Sequence, residues 1–300
     1  MTWQGVFPAF TTPFKADLSL DEAFLPGHLE IMLRAGCKGF VALGSLGEAA
    51  TLSFDEKVRV LEVSAKALAR RVPLVAGVAA LSTREAVERA RRAEQVGCEG
   101  LMVLPPYVYR GDDRETLAHF SAVIEATKLS CMLYNNPIAY GTDVRPEQIA
   151  ALARRHPNLA AVKESSADVR RLAAIRALLG DRLALFVGVD DLIVEGIAAG
   201  ATGWVAGLVN ALPAESVRLF DLARAGQHAE ADALYRWFLP LLRLDVVPKF
   251  VQLIKLAQEV VGLGSERVRA PRLVLEGAER EATVAMIRER MTSRPALPAR

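Results

Sequence analysis

Three segments of the chain share one form: Ala35-Gly36-Cys37-Lys38-Gly39-Phe40-Val41, Val96-Gly97-Cys98-Glu99-Gly100-Leu101-Met102 and Ala199-Gly200-Ala201-Thr202-Gly203-Trp204-Val205. Each reads as the end of a helix, a glycine able to take positive φ, and a second glycine that opens an apolar strand. Repeated junctions of this kind imply parallel strands joined by helical crossovers. Apolar runs fall at 5–14, 39–43, 74–78, 100–104, 131–134, 159–163, 183–188 and 203–207, each followed by a polar or glycine-containing turn. Between them lie segments with apolar residues at three-and-four spacing, such as 54–70 and 84–96. Ser53 with Glu56, and Ser82-Thr83 ahead of Arg84-Glu85, are helix-start signals. Eight such units predict a closed (β/α)8 TIM barrel over residues 1–225 in preference to an open doubly wound sheet. From about residue 213 to Arg290 the signals are only helical, so residues 226–300 are predicted to be a C-terminal helical extension of the same domain.

Composition narrows the function classes. A formal net charge of +2 gives no drive towards nucleic acid or an anionic membrane. No apolar run approaches the ~20 residues needed to span a bilayer. Residues Met1 to Val6 lack a basic region followed by an apolar stretch, so no export signal is expected and the predicted location is cytoplasmic. Cys37, Cys98 and Cys131 are widely spaced in apolar sequence and read as reduced core residues. The four histidines form no pair at ligand spacing, so no metal is expected.

In a barrel of this kind chemistry gathers where the strands end. The sixth run, Leu159-Ala160-Ala161-Val162, is followed by Lys163, a residue whose charge is expensive in a buried strand. Desolvation favours the neutral amine, which can attack a carbonyl carbon. The alternative is a lysine paired with a carboxylate or reaching out to water. Tyr134 ends the fifth run in Tyr-Asn-Asn-Pro and can relay protons beside an amine. Gly44-Ser45-Leu46-Gly47-Glu48 places two glycines around a hydroxyl, where backbone N–H groups can hold a carboxylate; it matches neither a Walker loop nor a dinucleotide fingerprint. Gly188-Val189-Asp190-Asp191 can aim acceptors at substrate hydroxyls, or cap a helix.

Taken together and in this order, these four motifs resemble the dihydrodipicolinate synthase / N-acetylneuraminate lyase superfamily, and the likeness covers essentially the whole chain. The resemblance implies a (β/α)8 barrel with a helical extension, usually a homotetramer, and a Schiff base between Lys163 and the carbonyl carbon of a 2-oxo acid. It makes Tyr134 the proton relay and Ser45 its hydroxyl partner. Backbone around Ser45 and Leu46 would hold the substrate carboxylate, Val205 would line the pocket, and Gly188 and Asp190 would contact substrate. It implies no metal and no nucleotide, only the covalent lysine.

Within the family, the chain departs from the synthases. Ile138-Ala139-Tyr140-Gly141 lacks the arginine that grips their second substrate, and Leu46 stands where a threonine is usual. Tyr107 or Tyr109 is the candidate for the tyrosine that synthases insert into a neighbouring subunit's site. The stretches 134–141 and 163–171 look more like a 1-pyrroline-4-hydroxy-2-carboxylate deaminase, which converts a cyclic imino acid to 2,5-dioxopentanoate and ammonia. That is the first expectation. The alternatives are 4-hydroxy-tetrahydrodipicolinate synthase, a 2-oxo-3-deoxy sugar acid dehydratase or aldolase, and a catalytically silent ligand-binding barrel.

Overall fold

In the computed structural model, which describes residues 1–297, eight strands alternate with helices. The strands are β1 (Gly5–Pro8), β2 (Phe40–Ala42), β3 (Leu74–Val78), β4 (Gly100–Val103), β5 (Ser130–Asn135), β6 (Leu159–Glu164), β7 (Ala184–Val187) and β8 (Gly203–Ala206). The helices α1 (Phe24–Ala35), α2 (Phe54–Leu68), α3 (Thr83–Val96), α4 (Asp113–Glu125), α5 (Pro137–Tyr140), α6 (Pro146–Arg155), α7 (Arg170–Leu179), α8 (Ile193–Ala198) and α9 (Pro213–Arg224) follow them in turn. Beyond these come α10 (His228–Leu242), α11 (Phe250–Val260) and α12 (Gly277–Thr292), with a 3-10 turn at Arg243–Asp245 between α10 and α11. The last three residues of the segment predicted as an extension, 298–300, lie outside the described residues.

All neighbouring strands pair in parallel, in the order β1-β8-β7-β6-β5-β4-β3-β2. The gap between β1 and β2 is closed just past Pro8, where Ala9 bridges Val41 and the Phe10 N–H donates to the Val41 carbonyl at 3.1 Å. The apolar run at 5–14 is therefore longer than the strand it contains. Its second half carries the chain across the seam and over the barrel mouth, where Thr11 donates to Gln258 of α11 at 2.8 Å.

The repeated junctions have two distinct physical roles. Gly36, Gly97 and Gly200 adopt φ of 106°, 96° and 102°, the left-handed region that ends a helix without a Cβ penalty. The second glycines make room for rings. A Cβ on Gly39 would lie 2.4 Å from the Phe7 ring, and one on Gly203 would lie 2.3 Å from Phe186. Phe7 and Phe186 meet edge to face at 5.2 Å and, with Trp3, plug the end of the barrel away from the strand termini. The polar residues at or just after the strand ends, Ser45, Asn136, Glu164 and Asp190 among them, lie at the opposite, C-terminal end of the barrel.

Candidate active site

Strands β5 and β6 pair with Tyr134 directly beside Lys163. Both side chains are buried, and the Lys163 Nζ lies 4.1 Å from the Tyr134 ring centroid. Among the described residues no carboxylate comes within ion-pair distance of Lys163, and its amine accepts and donates no side-chain bond. The stem crosses the end of β7 at Gly188: a Cβ there would fall 2.4 Å from Lys163 Cε and 2.0 Å from Ser165 Oγ. Gly188 is thus a clearance for the lysine.

The next residue, Glu164, does the opposite job. Its buried carboxylate accepts from Asn135 Nδ2 at 3.1 and 3.3 Å, from the Ser166 N–H at 2.7 Å and from Arg171 Nε at 3.3 Å. Asn135 also accepts from the Val144 N–H at 2.9 Å. These bonds bolt β5 to β6 immediately beyond the Tyr134–Lys163 pair, which fixes the two reactive side chains relative to each other.

A line of hydroxyls leads away from Tyr134. Asn136 donates to the Tyr134 oxygen at 3.0 Å and accepts from the Ala139 N–H at 3.0 Å, capping α5. With Pro137 in its first turn, that short helix swings Tyr140 back until the Tyr134 and Tyr140 rings meet edge to face at 5.7 Å. The Tyr140 hydroxyl bonds Ser45 Oγ, and the Tyr107 ring lies tilted against that of Tyr140 at 5.5 Å, so the three phenols of Tyr107, Tyr134 and Tyr140 cluster around Ser45. Burial, reinforced by the neighbouring phenols, pushes the Tyr140 hydroxyl far above its ordinary value; burial also raises that of Tyr107. Both therefore hold their protons at neutral pH and can hand them along the line.

The loop carrying Ser45 is held from outside the barrel. Glu48 is fully buried and pairs with Lys255 of α11 at 2.5 Å, while its other oxygen accepts from the Arg269 N–H at 3.0 Å. Lys255 also donates to the Arg267 carbonyl at 2.6 Å. The helical extension thus positions the Ser45 hydroxyl although it contributes nothing to the sheet.

A match to the "Dihydrodipicolinate synthetase family" spans residues 2–290 of the chain. The chain belongs to that family. It is 34% identical over 270 residues, 90% of each chain, to a protein of Methanothrix thermoacetophila named 4-hydroxy-tetrahydrodipicolinate synthase. A Xanthomonas campestris pv. campestris protein of the same name is 40% identical over 234 residues, 78% of this chain and 77% of that one. Among solved structures, a chloride-inhibited dihydrodipicolinate synthase of Acinetobacter baumannii complexed with pyruvate superposes with a TM-score of 0.90 at 28% identity, covering 97% of this chain and 99% of that one. The chain is accordingly an enzyme of the dihydrodipicolinate synthetase family with that family's (β/α)8 fold.

For a member of this family, the mouth of the barrel differs from the sequence-based expectation in two places. The structure brings Lys163, Tyr134 and Ser45 together, but Tyr140, not singled out from sequence, stands between Tyr134 and Ser45. The Asn136 cap and Pro137 were the local signal that a helical turn would fold Tyr140 inward. Asp190 was expected to contact substrate. Instead its fully buried carboxylate accepts from Trp204 Nε1 at 2.9 Å, from the Gly207 N–H at 3.1 Å and from the Leu208 N–H at 2.7 Å. Burial raises its pKa to about 6 against those bonds. It pins the turn after β8 and has no oxygen left free to reach a ligand. Leu46 and Val205 are buried among the strand ends. Tyr107 lies against Ser45 and Tyr140 of its own chain, whereas Tyr109 is exposed and donates to Glu115 at 3.0 Å. No helix among the described residues is long and apolar enough to cross a membrane.

Proposed function

We propose that this chain forms a Schiff base between Lys163 and C2 of a 2-oxo acid such as pyruvate. The observation that carries this reading is the buried Tyr134–Lys163 pair, with an amine that no carboxylate neutralises. The Lys163 amine adds to the carbonyl and water leaves, giving an iminium that acts as an electron sink. Removal of a C3 proton then yields an enamine, and Tyr134 shuttles that proton along Tyr140, Ser45 and Tyr107. Backbone N–H groups at Ser45 and Leu46 hold the substrate carboxylate, and Val205 lines the pocket. No step draws on a metal or a nucleotide.

The test is reduction with borohydride in the presence of pyruvate. A covalent mass increase is expected on the native chain and not on Lys163→Ala. No adduct with pyruvate or with any of several other 2-oxo acids would sink the reading and leave a ligand-binding barrel.

For the overall reaction, the names of the relatives favour addition of the pyruvate enamine to aspartate semialdehyde, the 4-hydroxy-tetrahydrodipicolinate synthase reaction. Arg110 supports it. Its guanidinium packs over Gly141, so that a Cβ there would meet Arg110 Cζ at 2.3 Å, and this places a cation at the rim beside α5. A second reading, the 1-pyrroline-4-hydroxy-2-carboxylate deaminase, is favoured by Ile138 and Ala139, which leave α5 itself without the arginine a second carboxylate would need. Turnover compared across pyruvate plus aspartate semialdehyde, 4-hydroxy-1-pyrroline-2-carboxylate, N-acetylneuraminate and 2-oxo-3-deoxy sugar acids decides between them. The proposed assembly is a homotetramer in the cytoplasm, and sedimentation velocity tests its subunit number.

A further inference from the structure

With Asp190 fully engaged, the mouth holds a second carboxyl that is not. Asp245 ends the 3-10 turn after α10 and reaches the barrel from the helical extension. A Cβ on Gly207 would lie 2.0 Å from Asp245 Oδ1, so the carboxyl sits directly over the first residue beyond β8. Gly188, the first residue beyond β7, is covered in the same way by the Lys163 stem. Two adjacent strands thus end in glycines, one overlain by the amine-bearing side chain and the other by this acid. The charges of Asp190 and Lys163 both act on Asp245, and burial, with Asp190 next, raises its carboxyl well above the usual carboxylate range. Among the described residues no hydrogen bond or ion pair engages its oxygens. Asp190 and Glu164, which are fully buried, are saturated with donors, whereas Asp245 is half-buried and keeps its oxygens unengaged beside the mouth.

We propose that Asp245 is a specificity-determining residue whose carboxyl hydrogen-bonds a hydroxyl on C4 of the acid held by Lys163. The proposal rests on the Schiff-base reading above. It is indifferent to which overall reaction follows, because both put a hydroxyl at that carbon. Addition of a pyruvate enamine to an aldehyde creates a C4 hydroxyl, and the hydroxylated ring imine carries one from the start. Whether neutral or ionised, a carboxyl has an oxygen to offer such a group.

A matched pair of ligands tests this without turnover. The native chain and Asp245→Leu, Asp245→Ala and Asp245→Asn are titrated with 2-oxobutanoate and with 4-hydroxy-2-oxobutanoate, trapped briefly with borohydride, and the adducts counted by mass. The native chain is expected to half-saturate at about 10- to 100-fold lower concentration of the hydroxylated acid. Asp245→Leu and Asp245→Ala should erase that preference while trapping 2-oxobutanoate as before, and Asp245→Asn should restore part of it. A native chain with no preference, or a preference that survives Asp245→Leu and Asp245→Ala, overturns the proposal. So does an equal loss of both adducts in all three variants, which marks Asp245 as structural. If the native chain traps neither acid, it is the Schiff-base reading that fails, and this proposal falls with it.

Discussion

Two lysines are buried in this barrel under opposite conditions. Lys255, at the seam between barrel and extension, donates to Glu48 at 2.5 Å and to the Arg267 carbonyl at 2.6 Å, over the Phe14 ring at 4.3 Å. Lys163, at the mouth, faces the Tyr134 ring at 4.1 Å and has no acceptor. Burial lowers the Lys255 pKa to about 8, with Glu48 partly opposing the shift. An amine tied into two bonds is a fastener; one left with only a ring beside it is available for chemistry. The contrast separates holding the site from using it, and each side can be broken on its own.

The largest expected effect is on the mouth. Lys163→Ala should lower turnover by at least about 10⁴-fold, since no neighbouring amine can replace the nucleophile. Its thermal unfolding should change little, because the substitution breaks no ion pair. Kinetics and calorimetry on the same sample check both halves. A large loss of stability would mean that Lys163 is also a fastener.

Lys255→Met should show the reverse pattern. It strands Glu48 in the interior, and removing one partner of a buried pair costs about 3–5 kcal/mol. Denaturant unfolding measures the loss, and borohydride trapping with pyruvate should still label Lys163. The double variant Lys255→Met, Glu48→Gln should recover part of the stability, since no charge is then left unpaired.

Between the seam and the mouth lies the hydroxyl line. Tyr140→Phe removes the hydroxyl that bonds Ser45 beside the Tyr134 ring and should cost about 10²-fold in kcat, the lower range for a general acid–base group. Trapping by Lys163 should be much less affected. Equal losses in both would place Tyr140 in substrate binding instead.

How much of this is legible in the sequence follows from the range of each interaction. Strand ends are local: an apolar run stops, a turn begins, and Lys163 and Tyr134 mark the places themselves. Parallel pairing then makes them neighbours, since β5 and β6 are consecutive. The use of Asp190 is not local. Its sequence context fits a cap or a ligand contact equally, and only β8 and the turn after it, 14 to 18 residues on, show that its oxygens are engaged. Asp245 and Lys255 are further removed, because their roles exist only once the extension folds back on the mouth. Glu48 sits inside a recognised motif, yet its partner is 207 residues away. The sequence therefore marks which side chains can react more readily than which ones hold them.

The smallest effect isolates charge from geometry at the seam. Arg269 pairs with Glu56 at 2.6 Å while stacking over Phe14 at 4.5 Å, close to where Lys255 also lies. Glu56 is at the same time the third residue of α2, and its side chain accepts from the Ser53 N–H at 2.8 Å to complete a capping box. Glu56→Gln keeps that cap, since glutamine serves the same position, and removes only the charge facing Arg269. Arg269, with the Ser53 bonds behind it, lowers the Glu56 carboxyl to about 2. A carboxyl depressed by folding adds stability above its unfolded pKa, near 4.5, and loses it as pH falls towards 2. Because the group remains largely solvated, the gain at neutral pH is discounted to about 1 kcal/mol. Unfolding free energies of the native chain and Glu56→Gln should therefore differ by about that much at pH 7 and converge as the pH approaches 2. A gap that persists unchanged at the acid end would show that the charge facing Arg269 is not the source of the difference.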